Sequence, residues 1–199
     1  MPGSLIADNK TTIKGVIFDL DGTLMHSSLD FTFLRNQTGC PENTDILDYV
    51  SGLSPRHKDH AKQIIIDHEL EDAKSSSWID GAKEFVEVLA TKGIPMAIVT
   101  RNCRQAAQLK LACEQSLIDI LLTREDAPPK PDPTALLHIA KVWELDVKEL
   151  IYVGDYLYDV QAANNAGMRS FLYAPSINPD YAHQADIVFE HFDILHSHF

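Results

Sequence analysis

The sequence predicts an α/β protein: a doubly wound (Rossmann-like) parallel sheet core with a small inserted helical cap. Short, almost unbroken apolar runs recur along the chain, as strands buried on both faces require. Segments of helical periodicity separate them, which implies right-handed βαβ crossovers. One long stretch between Thr23 and Trp78 interrupts the alternation with helical patterns and no strand.

The first run, Ile13 to Leu20, carries apolar residues up to Asp19 and reads as the central strand. Asp30 to Thr38, Thr44 to Val50 and Pro55 to Lys74 then read as helices, and the polar run Lys74 to Ser77 leads back. Residues 27–77 are therefore assigned to a cap, and 1–26 with 78–199 to the α/β core. A helix is expected over Gly81 to Lys92, opened by Asp80 as N-cap and closed by Gly93. Ile94 to Thr100 reads as the second strand, Gln105 to Leu111 as a helix, and Ile118 to Thr123 as the third strand. Pro133 is placed at the start of a helix reaching Trp143, where its missing N–H costs least. Leu150 to Asp155, Arg169 to Tyr173 and Asp186 to Phe189 read as further strands, with a helix over Asp159 to Ala166 and a frayed tail.

Bulk properties limit the partners. A formal charge of −12 on 199 residues repels phosphate backbones and anionic membrane surfaces, so neither nucleic acid nor membrane is an expected partner. An anionic substrate then needs local positive charge at its site. Cys40, Cys103 and Cys113 cannot all pair, and no Cys/His cluster has zinc-site spacing. With no signal-like N-terminus and no long apolar segment, a soluble cytoplasmic protein is expected, as monomer or homodimer.

In a doubly wound sheet, ligands sit beyond the carboxyl ends of the strands. The residues ending strands here are Asp19, Thr100 and Asp155. Asp19-Leu20-Asp21-Gly22-Thr23 sets two carboxylates two residues apart at a strand exit, with Gly22 free to take unusual backbone angles. Two acids facing one cleft call for a cation, and a hard divalent ion with oxygen ligands suits them; an Asx turn or helix cap is the plainer alternative. Thr100, followed by Arg101 and Asn102 opening the next helix, offers a hydroxyl and N–H groups to an oxyanion, or else is a simple cap. Lys130, stiffened by Pro128, Pro129, Pro131 and Pro133, is a rigidly presented ammonium that could neutralise a phosphate, where most lysines are solvated. Asp155 and Asp159, one helical turn apart, could face the same point or serve as surface caps.

Together, Asp19-Leu20-Asp21-Gly22-Thr23, Thr100, Lys130 and Gly154-Asp155 with Asp159 resemble the four motifs of the haloacid dehalogenase superfamily, in order and spacing, from Val16 to about Tyr173. The inserted segment resembles the helical cap of its phosphoglycolate-phosphatase-like branch. The resemblance implies a phosphatase acting on a small phosphorylated metabolite, with Asp19 as nucleophile and Asp21 as general acid/base. It implies that Thr100 and Lys130, beside Arg101 and Asn102, bind the phosphoryl group. It also implies Mg²⁺ held by Asp19, the backbone carbonyl of Asp21 and Asp155, with Asp159 ligating directly or through water. Within the family, Asp21 argues against true dehalogenases, and Gly154 against the phosphosugar mutases, which carry an acid there. Arg101 is bulkier than what many relatives carry, and the cap is shorter than usual in the branch, which bears on substrate fit.

Other residues carry weaker signals. His26, Arg56, His57 and Lys58 could meet the organic part of a substrate or form a solvated face. His57 with His60, and His191, His196 and His198, lack acidic partners at metal-site spacing, and Cys103 is read as structural. A receiver-type signalling module would share the acids, hydroxyl and Lys, but needs its acceptor Asp where Thr100 stands and has no place for the cap.

Overall fold

A computed structural model describes residues 12–112 and 117–199, so Cys113 and the N-terminal MPGSLIADNK lie outside the described residues. Six strands form one parallel sheet: β1 (Gly15–Phe18), β2 (Met96–Val99), β3 (Ile120–Leu122), β4 (Leu150–Gly154), β5 (Arg169–Tyr173) and β6 (Ile187–Phe189), in the order β3-β2-β1-β4-β5-β6. The doubly wound α/β fold is thus present, with β1 between β2 and β4.

The pleat of β1 divides the core. Val16 and Phe18 face a layer with Phe85, Val86 and Leu89 of α4 (Ala82–Thr91), whereas Ile17 faces a second layer. That second layer holds Leu136 and Ile139 of α6 (Thr134–Trp143) and Ala162 and Ala163 of α7 (Leu157–Ala166). With both faces covered, the strands must be apolar almost throughout, which is why they are legible as runs.

The inserted stretch contains α1 (Phe31–Thr38), α2 (Ile46–Ser51) and α3 (Pro55–Ser75). Leu34, Cys40, Ile46, Val50, Ala61 and Ile65 form a separate apolar cluster among them. No helix among the described residues is long and apolar enough to cross a membrane.

Several expected boundaries are corrected. Asp80 does not cap α4: Gly81 does, with φ +78°, and no side chain caps that end. Only glycine suits the position, because a Cβ would also lie 2.9 Å from the His191 ring. Arg101 and Asn102 do not open a helix; α5 (Arg104–Leu111) begins later, capped by the Cys103 thiol, which accepts from Ala106 N–H. Pro133 is the N-cap of α6 rather than its first residue, and α7 starts at Leu157, before Asp159. The C-terminal tail is not frayed. A 3₁₀ segment, Phe192–His198, buries Phe192 and Leu195 completely, and Phe192, His196 and Phe199 pack against the Phe85 ring.

Candidate active site

Parallel register assembles the site. Phe18 is aligned with Ile98 on one side and Val153 on the other, and the strands end at Phe18, Val99 and Gly154. The next residues, Asp19, Thr100 and Asp155, therefore emerge side by side. Asp19 N–H still donates to Val153 O at 2.8 Å, and Thr100 N–H to Leu122 O at 3.0 Å, so both backbones are fixed where their side chains leave the sheet.

Asp19, Asp155 and Asp159 each offer a carboxylate oxygen within 4.8 Å of the others. Two glycines make room for this. Gly22 has φ +78°, and a Cβ there would lie 2.4 Å from Asp155 Oδ2. At Gly154 a Cβ would lie 2.3 Å from the Cβ of Asp159. Thr23 Oγ1 donates to Asp155 Oδ1 at 3.2 Å, and Tyr156 N–H to Asp159 Oδ2 at 3.0 Å.

Lys130, one residue before a cis proline, reaches this group from the side. Its ammonium donates to Asp19 Oδ1 and Asp159 Oδ1, both at 2.6 Å, and to the Tyr152 hydroxyl at 2.9 Å. Tyr152 OH in turn donates to Val99 O at 3.1 Å. Burial opposes the charge on Lys130, but Asp159 and Asp19 more than offset it and hold its pKa above the ordinary value. One ammonium does not balance three acids. Burial, with Asp159 and Asp155 adding to it, pushes Asp19 well above the usual carboxylate range against the pull of Lys130. Burial and then Asp159 push Asp155 up to about 7. Buried, mutually repelling oxygen donors fit a hard divalent cation, which would hold all three ionised.

Asp21 stands apart from the triad. Its carboxylate is held at one oxygen by Lys110 and at the other by the Asn102 side-chain amide. Burial raises its pKa, opposed by Lys110. Asn102 N–H donates to Thr100 Oγ1 at 3.1 Å, which leaves the Thr100 hydroxyl its own proton to donate. Arg101 turns outward: its guanidinium pairs with Asp45 of the inserted stretch at 2.6 Å and lies 5.2 Å from the centre of the Tyr158 ring. These three side chains, with Lys130 and Asp132, line a cavity of about 550 Å³. A second cavity of about 390 Å³ is lined by Gly22, His26 and Asp155. Arg56, His57 and Lys58 line neither cavity, and Ser54 Oγ bonds the His57 ring at 2.8 Å.

The haloacid dehalogenase-like hydrolase family model matches residues 33–173, which include Thr100, Lys130, Asp155 and Asp159 and begin after the Asp19 loop. The chain belongs to the haloacid dehalogenase-like hydrolases. A family protein of Arabidopsis thaliana is 31% identical over 78% of this chain and 68% of its own length. A phosphoglycolate phosphatase of Thiobacillus denitrificans is 28% identical over 80% and 82% of the two chains. The solved structure of a Pseudomonas syringae hydrolase shares the fold with TM-score 0.76 at 20% identity, covering 93% of this chain and 97% of that one. A phosphoglycolate phosphatase of Pectobacterium atrosepticum is likewise 28% identical to this haloacid dehalogenase-like hydrolase, over 93% of this chain and 92% of its own length.

Sequence reasoning missed three residues of this hydrolase's site. Tyr152 lies within a buried strand and reads only as core, and Asp45 reads only as part of a helix start. Lys110 had a usable signal: it falls on the stripe of Ala106, Ala107 and Leu111 that α5 buries, where a cation needs a partner.

Proposed function

We propose that this hydrolase is a Mg²⁺-dependent phosphatase that moves the phosphoryl group of a small phosphate monoester through Asp19 to water. The observation that carries the reading is Asp19 itself, 2.6 Å from the Lys130 ammonium and clustered with Asp155 and Asp159 at the strand ends. In the first step an Asp19 oxygen bonds to phosphorus, the ester P–O bond breaks, and Asp21 gives a proton to the leaving oxygen. In the second step Asp21 takes a proton from water, the water oxygen bonds to phosphorus, and the Asp19–phosphorus bond breaks to release inorganic phosphate.

Thr100 and Lys130 donate to phosphoryl oxygens, with the Asn102 side chain holding Asp21 beside them. Mg²⁺, held by the Asp19, Asp155 and Asp159 side chains and the backbone carbonyl of Asp21, supplies charge neutralisation and orientation of the phosphoryl oxygens. The cavity beside Arg101 and Tyr158 has the size of a small metabolite. Gly154 supports hydrolysis over the phosphosugar mutase reading, because an acid at that position would collide with Asp159. Buried free thiols at Cys40 and Cys103 suit a reducing cytoplasm.

The test is turnover of p-nitrophenyl phosphate and a panel of small phosphate monoesters. Activity that needs Mg²⁺ and vanishes with a chelator is expected. Turnover unchanged after chelation, or none across the panel, contradicts the reading.

A further inference from the structure

The ion-paired Lys110 side chain has 0% exposure, at the point where the core, the Asp21 loop and the inserted helices meet. Its ammonium donates to Asp21 and, at 2.5 Å, to Asp72 Oδ2 near the end of α3. Asp72 also accepts from Ser28 N–H at 2.6 Å, Ser28 Oγ at 2.8 Å and Ser27 Oγ at 3.0 Å. A single cation thus ties Asp21 to both chain crossings between the sheet and the inserted helices.

A structural role alone explains this poorly. An apolar residue of similar volume on the α5 stripe would fill the space without desolvating an ammonium, and buried ion pairs are often no more stabilising than such a replacement. What the charge adds is geometry. Carboxylates turn freely about their last bond, whereas Asp21 is gripped at one oxygen by Lys110 and at the other by Asn102. Asp21 and Asp72 outweigh the effect of burial and keep Lys110 charged.

We infer that Lys110 is a positioning residue for Asp21: it sets the carboxylate that exchanges the proton with the leaving group, and through Asp72 makes that placement depend on the seating of α3. The inference rests on the acid/base reading of Asp21. It goes beyond that reading in giving the reaction a residue remote from the substrate and a dependence on the inserted helices.

Leaving groups separate positioning from packing. p-Nitrophenolate departs without a proton, whereas an alkoxide needs one, so a misplaced acid slows the first step, release of the leaving group, only for the alkyl ester, while the water-activating step is common to both. In Lys110→Met, the single-turnover rate of alcohol release from an alkyl phosphate such as glycerol phosphate is expected to fall about 100-fold, as misplacement of a catalytic group does, with the single-turnover release of p-nitrophenolate from p-nitrophenyl phosphate within about 3-fold. Asp21→Asn should show the same first-step selectivity, more strongly, and should lose steady-state turnover of both esters, since the second step needs its base. Equal first-step losses on both esters in Lys110→Met, with selective first-step loss in Asp21→Asn, overturn the positioning role and leave the acid/base reading standing. Equal first-step losses in Asp21→Asn overturn both. Should Lys110→Met not fold, Asp72→Asn keeps the Lys110–Asp21 pair and loses only its anchor; selective first-step loss of about 3- to 10-fold on the alkyl ester supports the inference, and equal first-step loss overturns it.

Discussion

Gly154 and Asp159 occupy the same space: a Cβ on the glycine would lie 2.3 Å from the Cβ of the aspartate. The end of β4 therefore lets α7 close in and bring Asp159 onto Lys130. Gly154→Ala must push α7 away, at about 1–3 kcal/mol for overpacking. Chemical denaturation should show that loss, and calorimetric titration should show weaker Mg²⁺ binding, because Asp159 is displaced from Asp19 and Asp155.

Lys130 is the cation bonded to both Asp19 and Asp159, and only 4% of its side chain is exposed. Lys130→Met leaves two buried acids without it, and removing one partner of a buried ionic group costs about 3–5 kcal/mol. Denaturation in chelator should show a loss of this order, and Mg²⁺ should recover part of it. Turnover should not recover with stability.

Burial and the charge of Asp159 raise Asp155 from an ordinary 3.8 to about 7. Between these values the folded, metal-free protein binds a proton that the unfolded chain has released, so this group's contribution to stability falls as pH rises and is lost above the folded pKa. Without metal, the melting temperature of wild type relative to Asp155→Asn should therefore drop between about pH 4 and pH 7. Mg²⁺ should stabilise wild type more at the upper end, where the carboxylates are ionised.

Arg101 meets Asp45 across the cavity, and burial of Asp45 is outweighed by its bonds to Arg101, which hold its pKa below the usual range. Arg101→Ala removes a wall of the cavity and no proton-transfer group. KM for the preferred substrate should rise about 5- to 50-fold with kcat within about 3-fold, the pattern of lost uniform binding. Asp45→Asn keeps an oxygen for the N–H groups of Leu47 and Asp48 and should isolate the ion pair.

Sequence carried the strands and their terminal residues because both faces of the sheet are covered and the acids and Thr100 interrupt unbroken apolar runs. It carried helix starts poorly where the cap is unconventional. Gly81, at φ +78° and against His191 where a Cβ does not fit, stands at the cap of α4 in place of Asp80, and a Cys103 thiol opens α5 in place of Arg101 and Asn102. The tail looked frayed because Phe192 and Leu195 stand among polar residues, yet Phe85 offers them a distant apolar face. Lys110 escaped because its partners, Asp21 and Asp72, are 89 and 38 residues away in the chain.

The nucleophile is the centre of the account, and Asp19→Asn tests it most directly, since the amide keeps the shape and loses the attacking oxygen. With folding verified by its melting curve, the variant should lose turnover of p-nitrophenyl phosphate by at least about 10⁴-fold at saturating Mg²⁺. A folded Asp19→Asn protein that retains wild-type turnover would contradict the assignment.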